Sequence, residues 1–338
     1  MRSRTGATPG EAPAGLTGVA PGRWLTVVGE ALIDLVPTGT DGLFQASPGG
    51  SPANVAVGLA RLEVPVHLAA RLSDDLFGRR LRTHLAANGV DLTFAVHARE
   101  PSSLAIVSVD AHGGPEYDFR VQATADWQWT DSELGAVPDD SVCAVHTGSL
   151  AAALAPGAGA LERLVERARH TTTVSYDPNI RPMLMGGADT VRPHIEELVA
   201  LSDVVKVSAE DLTWLAPGRD PAEVAADWLT RGPAVVVVTL GPSGALAIGG
   251  EAGTVSRPGR SVAVVDTVGA GDAFVSALLA ALYDRDLLGA PRRERLRRLS
   301  ATMLAEIVDQ AILASAITCT RRGADPPTRA ELSAGAPS

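Results

Sequence analysis

Short apolar runs alternate with longer amphipathic segments along most of this chain. The apolar runs lie at residues 24–28, 142–146, 173–176, 204–207, 234–239 and 245–248. Between and after them, apolar positions recur at helical spacing at residues 52–62, 76–88, 161–169, 191–201, 221–230 and 287–317. Short apolar runs are typical of strands that are buried on both faces. Their alternation with helices predicts an α/β protein with a mostly parallel central sheet covered by helices.

Two segments do not fit this buried pattern. Residues 30–37 alternate between apolar and polar side chains, which predicts a further strand with Asp34 near its base. Residues 104–110 and 117–121 flank a Gly-Gly-Pro turn and predict a β-hairpin. Because neither arm of the hairpin is continuously apolar, we expect it to lie outside the main sheet.

The overall charge and the apolar pattern exclude some classes of function. The chain has 39 acidic and 29 basic side chains, for a formal net charge of −10, which argues against a nucleic-acid-binding surface. No uncharged span of large apolar side chains approaches the ~18 residues that a transmembrane helix needs. We therefore expect a cytoplasmic protein that binds neither nucleic acid nor a membrane.

The segment at residues 266–274 combines glycines, an aspartate and the start of an apolar run. The run predicts a buried helix whose N-terminus carries Gly269, Ala270 and Gly271. Unpaired N–H groups and the helix dipole favour anions at such an end, and small residues let an anion approach. Asp272 follows directly, and it is either the N-cap of a core helix or a base beside a bound anion.

A second glycine segment, residues 49–54, precedes another helix. Pro52 fits the first turn of that helix, and Asn54 projects from the same turn of an otherwise apolar segment. A buried amide must find a hydrogen-bond partner. The Asn54 amide therefore bonds either the neighbouring backbone or a polar ligand across the glycine turn.

The lysine content restricts how a nucleotide could be held. Lys206 is the only lysine of the chain, and it follows Val205. A phosphate loop of the G-x-x-x-x-G-K-[ST] type needs a lysine directly after a glycine, so this chain has none. If this chain binds a nucleotide, it does so without a phosphate-loop lysine.

Together, the two glycine segments resemble the two signatures of the ribokinase-like (PfkB) carbohydrate kinases. Four more segments match motifs of that family in the same order, and they lie at residues 29–34, 177–181, 239–244 and 318–324. The second of them has the D-x-N-x-R pattern, the third is T-L-G-x-x-G, and the last resembles V-T-R-x-G-A. Six motifs in the family's order make the resemblance specific, and it covers residues 24–332.

The resemblance implies a three-layer α/β/α fold with a mostly parallel central sheet and a small β-lid. The lid would be built from residues 32–45 and 104–122, which accounts for the hairpin outside the main sheet. We expect a single kinase domain at residues 23–332, with disordered tails at residues 1–22 and 333–338. The family also implies a homodimer that forms through the β-lid.

The resemblance gives the segment around Asp272 a catalytic role. Phosphoryl transfer needs positioning, charge stabilisation and a base that takes the hydroxyl proton. Asp272 matches the base, and the N–H groups of Gly269, Ala270 and Gly271 match the anion hole for the γ-phosphoryl group of ATP. Arg181, in the D-x-N-x-R segment, would face phosphate or substrate oxygens.

The remaining site residues also follow from the matched motifs. Sugar recognition is assigned to Asp34, Gly49, Gly50, Asn54, Arg120 and Asn179. Nucleotide contacts are assigned to Lys206, Ser208, Asp211, Thr239, Gly241, Gly244, Ile312 and Ser315. Ile312 stands where the family often has a polar residue, so base contacts there should be apolar.

ATP and Mg²⁺ are the implied cofactors, with K⁺ as a further implied ion. The family's N-x-x-E motif, which helps to order Mg²⁺, appears here with Ser208 and Asp211 at its ends. Asp211 has a shorter side chain than glutamate, so it would act on Mg²⁺ through water, as would the adjacent Glu210. K⁺ would lie near Asp266 and Val268.

The same motifs favour D-fructose as the substrate and fructose 6-phosphate as the product. The segments at 29–34, 177–181 and 206–208, and the segment 123–127 after Arg120, are all similar to those of fructokinases. The closest alternative is 2-keto-3-deoxygluconate kinase, followed by ribokinase or nucleoside kinase. A non-catalytic sugar sensor on the same fold is an alternative of another class, although a sensor need not keep Asp272.

Overall fold

The apolar runs of the sequence form one sheet in the computed structural model, which describes residues 24–39, 42–109, 115–137 and 142–335. The predicted tail at 1–22 and the last residues of the chain lie outside these ranges. In spatial order the sheet contains β14 (Gly253–Arg257), β13 (Ala245–Gly249), β12 (Val235–Thr239), β11 (Val204–Ser208), β10 (Thr173–Asp177), β9 (Val142–Gly148), β1 (Trp24–Val28) and β4 (Val66–Ala69).

Strand direction in this sheet determines where a ligand can bind. The strands from β4 to β12 are parallel, and β13 and β14 add an antiparallel pair at one edge. The carboxyl ends of the parallel strands therefore meet along one edge, where α/β proteins bind their ligands. The mostly parallel sheet predicted from the alternating pattern is confirmed.

Each face of the sheet packs against its own layer of helices. In β12, Val235 and Val237 belong to one apolar core, while Val236 and Val238 belong to the other. The first face is covered by α1 (Ser51–Arg61), α2 (Leu76–Ala87), α9 (Ala270–Asp284), α10 (Arg293–Arg297), α11 (Ala301–Cys319) and α12 (Arg329–Ala334). The second is covered by α3 (Asp131–Leu134), α4 (Ala158–Ala168), α5 (Pro182–Met185), α6 (Ala188–Leu201), α7 (Ala209–Leu215) and α8 (Pro221–Leu229).

The predicted hairpin lies outside the central sheet, in a separate four-stranded sheet that we call the lid. Its strands, in spatial order, are β3 (Phe44–Gly49), β2 (Leu32–Pro37), β7 (Leu104–Val109) and β8 (Pro115–Arg120). Two boundaries are corrected: β2 begins at Leu32 rather than at residue 30, and β3 extends the lid past Gln45 to Gly49. The short strands β5 (Arg71–Ser73) and β6 (Val96–Ala98) pair with each other.

Two further features of the helices bear on the predictions. Helix α12 ends at Ala334, so it includes the first residues of the predicted C-terminal tail. Among the described helices, α11 is long and apolar enough to cross a membrane by length and composition, with a mean hydropathy of 1.3. Half of its apolar 18-residue segment is buried, and Leu304, Ile307 and Val308 pack in the same core as α9. We interpret α11 as a core helix.

Helices α1 and α9 pack in close contact at a glycine. A Cβ atom added to Gly58 of α1 would lie 2.6 Å from the Cβ of Ser276 on α9. The Ser276 side chain is buried, and its hydroxyl donates to the Ala273 carbonyl at 2.9 Å. The missing side chain at Gly58 therefore sets how closely the two helices approach.

Because of this contact, replacing Gly58 by alanine should destabilise the protein, although glycine-to-alanine changes in helices normally stabilise. Alanine in a helix interior normally stabilises a protein by about 0.5–1 kcal/mol relative to glycine. Gly58→Ala should instead lower the free energy of unfolding by about 1–3 kcal/mol, because it overpacks the contact with Ser276. Urea denaturation measures the change.

The control is Gly159→Ala in α4, where the nearest atom to an added Cβ is Arg163 Nη1 at 3.5 Å. That variant should be neutral or more stable than the wild type. A Gly58→Ala variant as stable as Gly159→Ala would contradict the proposed packing constraint.

Candidate active site

A cavity of about 950 Å³ lies between the lid and the N-terminus of α9. Lid residues such as Asp34 and Phe119 form one part of its wall, and Glu30 and Asn179, beyond the ends of β1 and β10, form another. The N-terminus of α9, including Asp272, closes the remaining side. The topology therefore brings both glycine segments and the D-x-N-x-R segment to the wall of one cavity.

The Asp272 carboxylate is held by the first turn of α1. The Ser51 hydroxyl donates to its Oδ1 at 2.7 Å, and the Asn54 amide donates to its Oδ2 at 2.8 Å. The N-cap of α9 is Gly269, which provides no side-chain cap. Asp272 is therefore not an N-cap, because its carboxylate bonds another helix and faces the cavity.

The contact with Asp272 changes the interpretation of α1. Asn54 was expected to bond either the local backbone or a ligand, but its Nδ2 donates to a carboxylate 218 residues away in the chain. Ser51 was not predicted as a site residue. A hydroxyl at the start of a helix usually caps that helix, so its sequence position gave no indication of the contact with Asp272.

The α9 N-terminus leaves two of the predicted N–H donors open. The N–H of Ala270, the third predicted donor of the anion hole, donates to the Thr267 carbonyl at 3.2 Å. Within the described residues, the N–H groups of Gly269 and Gly271 have no backbone acceptor. Gly269 has φ of 75°, and an added Cβ would lie 2.7 Å from the Ala324 Cα, so only glycine fits this turn.

Asp34 lies in the lid opposite Asp272, where its surroundings disfavour the ionised carboxylate. Burial raises the pKa of its carboxyl to about 6, and the charges of Asp272 and Asp266 add to the increase, while Arg181 opposes it. Gly49 makes room for this side chain, since an added Cβ would lie 2.1 Å from Asp34 Oδ2.

The other predicted glycine of the sugar site, Gly50, is required by its backbone. It has φ of 99°, and an added Cβ would lie 2.8 Å from the Glu30 carbonyl oxygen. The lid therefore meets α1 at two positions, Gly49 and Gly50, where a side chain would displace its neighbours.

Lys206, Ser208 and Asp211 bond within the protein rather than lining the cavity. Lys206 Nζ lies 2.9 Å from Asp177 Oδ2, and both side chains are buried. Burial alone would lower the pKa of Lys206, but the nearby carboxylates, led by Asp177, raise it above its ordinary value. The ammonium lies directly below α9, because an added Cβ on Gly271 would be 3.2 Å from Nζ. Its charge therefore adds to the positive end of that helix.

Ser208 and Asp211 form a capping box at the start of α7, and their assignment as nucleotide contacts stays a prediction. The Asp211 N–H donates to Ser208 Oγ at 3.0 Å, and Asp211 Oδ1 accepts from the Ile180 N–H at 3.1 Å. Glu210, one residue earlier, does line the cavity. Of the two predicted Mg²⁺ contacts, the geometry favours Glu210.

The D-x-N-x-R segment places two polar side chains in the cavity wall. Arg181 Nη1 donates to Asn179 Oδ1 at 2.9 Å and to the Ile180 carbonyl at 3.0 Å. Arg120, in contrast, is exposed on β8, where it pairs with Asp118 at 2.6 Å and does not line the cavity.

The predicted K⁺ residues line the cavity, whereas five of the predicted nucleotide residues do not. The predicted nucleotide residues near the end of β12 and on α11 do not line the cavity. They are Thr239, Gly241, Gly244, Ile312 and Ser315. Asp266 does line the cavity, where its carboxylate accepts from the Val268 N–H at 3.0 Å and from the Gly323 N–H at 2.8 Å. These two bonds fix the loop that leads into α9.

Comparisons with known proteins agree with this geometry. The model of the pfkB family carbohydrate kinases matches residues 24–331. A fructokinase of Rhizobium leguminosarum bv. trifolii is 35% identical over 263 residues, which cover 77% of this chain and 80% of that relative.

Solved structures show the same fold. The fructokinase of Xylella fastidiosa with bound ATP has a TM-score of 0.85 at 26% identity, covering 92% of this chain and 97% of that one. The fructokinase of Vibrio cholerae with fructose, ADP and calcium ion has a TM-score of 0.78 at 29% identity, covering 92% and 98%. The chain belongs to the pfkB family of carbohydrate kinases, and the predicted family and ribokinase-like fold are confirmed.

The raised pKa of Asp34 predicts that this side chain destabilises the unliganded protein. Above about pH 6 both folded and unfolded states carry the charge, and the folded state pays for its burial. Asp34→Asn should therefore increase the free energy of unfolding at pH 7.5 by about 1–2 kcal/mol. The gain should disappear near pH 4, where the folded-state carboxyl is already neutral.

Urea denaturation at both pH values tests this prediction. Asp118→Asn is the control, because that carboxylate is exposed on the same lid. A stability gain from Asp34→Asn that is equal at both pH values, or absent at pH 7.5, would show that burial of the Asp34 charge is not the cause.

Proposed function

We propose that this chain is an ATP-dependent fructokinase that transfers the γ-phosphoryl group of ATP to the primary hydroxyl of D-fructose. The observation that carries the proposal is the Asp272 carboxylate, held by Ser51 and Asn54 in the cavity beside the open N–H groups of Gly269 and Gly271. The fructokinase relatives and the solved fructokinases with ATP, or with fructose and ADP, support the choice of substrates.

The site supplies each requirement of phosphoryl transfer. Asp272 takes the proton of the fructose hydroxyl while the hydroxyl oxygen forms a bond to the γ-phosphorus of ATP. The bond between the γ-phosphorus and the bridging oxygen breaks, and ADP leaves with its electrons. The N–H groups of Gly269 and Gly271 face the charge on the γ-phosphoryl oxygens, and the buried Lys206 strengthens that field from below. Arg181 binds anionic oxygens from the opposite wall.

Sugar recognition falls to the lid and to the strand ends. Asp34 offers an acceptor to a sugar hydroxyl, although burial and the neighbouring carboxylates raise the pKa of its carboxyl. Asn179 and Asn54 line the same cavity, and Gly49 and Gly50 let the ring approach the backbone.

The carboxylates in the cavity wall fit a divalent cation. Glu210 lies there with Asp272, and hard oxygen ligands are those that Mg²⁺ prefers. Mg²⁺ would neutralise charge on the ATP phosphates, with Glu210 holding it through water. The loop at Asp266 and Val268 is the proposed K⁺ site, which a comparison of turnover in K⁺ and in tetramethylammonium would test.

We also propose a cytoplasmic homodimer that forms through the lid. Leu43, just before β3, and Phe44, its first residue, are 58% and 51% exposed, and Val36 on the neighbouring strand is also exposed. Adjacent exposed apolar side chains are typical of an interface. Sedimentation of the wild type and of Phe44→Glu tests it: a dimer should become a monomer, whereas a monomeric wild type would exclude the interface.

A substrate panel tests the activity itself. ADP production should be measured with fructose, ketodeoxygluconate, ribose and adenosine under identical conditions, and kcat/KM should be highest for fructose. The highest value for ketodeoxygluconate would overturn the assignment, since Arg181 could bind its carboxylate instead. Calorimetric binding of fructose without ADP production in any arm would indicate a sugar sensor.

A further inference from the structure

Glu30 is a buried carboxyl in the cavity wall to which the reaction described above assigns no role. It follows β1, and only 1% of its surface is exposed. Its Oε2 accepts from the Ala151 N–H at 3.2 Å, and the Ser149 side chain lies beside the same carboxylate and lowers its pKa. Ser149 in turn follows β9, so the contact joins two neighbouring strands at their carboxyl ends.

The hydrogen bonds continue from Ser149 to the cavity surface. Asn179 Nδ2 donates to Ser149 Oγ at 3.3 Å, and Arg181 Nη1 donates to Asn179 Oδ1 at 2.9 Å. Because Ser149 Oγ accepts from Asn179, its own proton is left to donate to the neighbouring Glu30 carboxylate. The groups then donate toward the interior, from Arg181 through Asn179 and Ser149 to Glu30. A chain with this one direction needs an acceptor at its inner end, and an ionised carboxylate can only accept.

Two of the residues that form these hydrogen bonds have a strained backbone conformation. Ser149 has φ of 55° and Asn179 has φ of 39°, in the left-handed region that residues other than glycine rarely adopt. Such conformations persist where surrounding contacts hold them, and they concentrate at functional sites. The bonds to Glu30 and between the two side chains are contacts of that kind.

We propose that Glu30 is a positioning residue of the kinase, whose carboxylate fixes the Ser149 hydroxyl and the Asn179 amide and thereby the Arg181 guanidinium at the cavity wall. The proposal rests on the proposed function, because that function gives Arg181 its contact with anionic oxygens. In this proposal Glu30 acts on the bound phosphoryl group only through Ser149, Asn179 and Arg181.

The protonation state of Glu30 determines which groups donate and which accept along this series of hydrogen bonds. Burial raises the pKa of Glu30 to about 7, and the neighbouring Asp126 adds to the increase, while Ser149 and the Ala151 N–H oppose it. Asp126 is also buried, and burial raises its pKa to about 6, with the Arg71 cation opposing. A protonated Glu30 donates its proton to Ser149 and no longer serves as a pure acceptor. The ordered chain is therefore present above about pH 7 and is lost below it.

A double-mutant cycle with Glu30→Gln and Ser149→Ala tests the proposal. Each single variant should lower kcat/KM for fructose by about tenfold, or about 1.4 kcal/mol. The double variant should lose little more than either single one, because both break the same chain. The wild-type kcat/KM should also rise with pH through about 7, and Glu30→Gln should lack this rise.

Asp126→Asn is the matched control, since it removes a buried carboxyl next to Glu30 that lies outside the chain. Asp126 instead accepts from the Ala31 N–H at 2.9 Å and from Ser103. This variant should keep most of the wild-type kcat/KM and should still show the rise with pH, with its midpoint moved to lower pH because the Asp126 charge no longer raises the pKa of Glu30. Additive losses in the cycle, or a wild-type pH profile in Glu30→Gln, would overturn the proposal.

A readout without turnover separates this proposal from the proposed function. The side-chain amide NMR signals of Asn179 should shift with pH around a midpoint of about 7 in the wild type, and Glu30→Gln should abolish that shift. Signals that titrate identically in both proteins would overturn the positioning role of Glu30. An enzyme that phosphorylates no sugar but shows the expected shifts would contradict the proposed function alone.

Discussion

The contact between the first turns of α1 and α9 is the constraint on which the rest of the site depends. Two donors, Ser51 and Asn54, lie 221 and 218 residues from the carboxylate of Asp272 that they hold. Only the packed fold can bring them together, and Gly58 against Ser276 sets how closely the helices approach. A displacement of α1 would therefore change the orientation of the proposed base and the shape of the cavity together.

The second constraint is electrostatic, because the cavity collects carboxylates where a polyanion must bind. Asp34 illustrates the cost, since burial and its acidic neighbours raise its pKa to about 6. Positive potential comes from the open N–H groups at the N-terminus of α9 and from Lys206 below it. The buried pair of Lys206 with Asp177 keeps the ammonium in place below the helix.

The architecture could be predicted from sequence because its signals are local. Short apolar runs separated by helical spacing specify a parallel sheet, and the weakly apolar hairpin at residues 104–110 and 117–121 indicated a separate lid. Strands β3 and β14 were missed because their residues are mostly exposed or polar and lack a buried run. Pairing with a neighbouring strand, rather than their own composition, makes them strands.

Partner identities in the site could not be predicted in the same way. The sequence marked Asp272 and Asn54 as polar residues at helix starts, but it could not show that one bonds the other. Lys206 seemed available for a nucleotide because nothing local indicates its pairing with Asp177. Glu30 was likewise predicted only as the first residue of a strand, and only the fold places it beside Ser149. Contacts between the ends of different strands depend on register, which a single sequence does not encode locally.

The most direct test of this account is a comparison of turnover and sugar binding in the wild type and in Asp272→Asn. The substitution removes the proposed base but keeps its size and the groups around it. We expect kcat to fall by about 10²–10⁴-fold, the usual contribution of a general base. The dissociation constant for fructose, measured by calorimetry, should change only slightly, since Asp34, Asn179 and the glycine turn remain. Turnover that stays at the wild-type level would contradict the central claim that Asp272 takes the proton from the sugar.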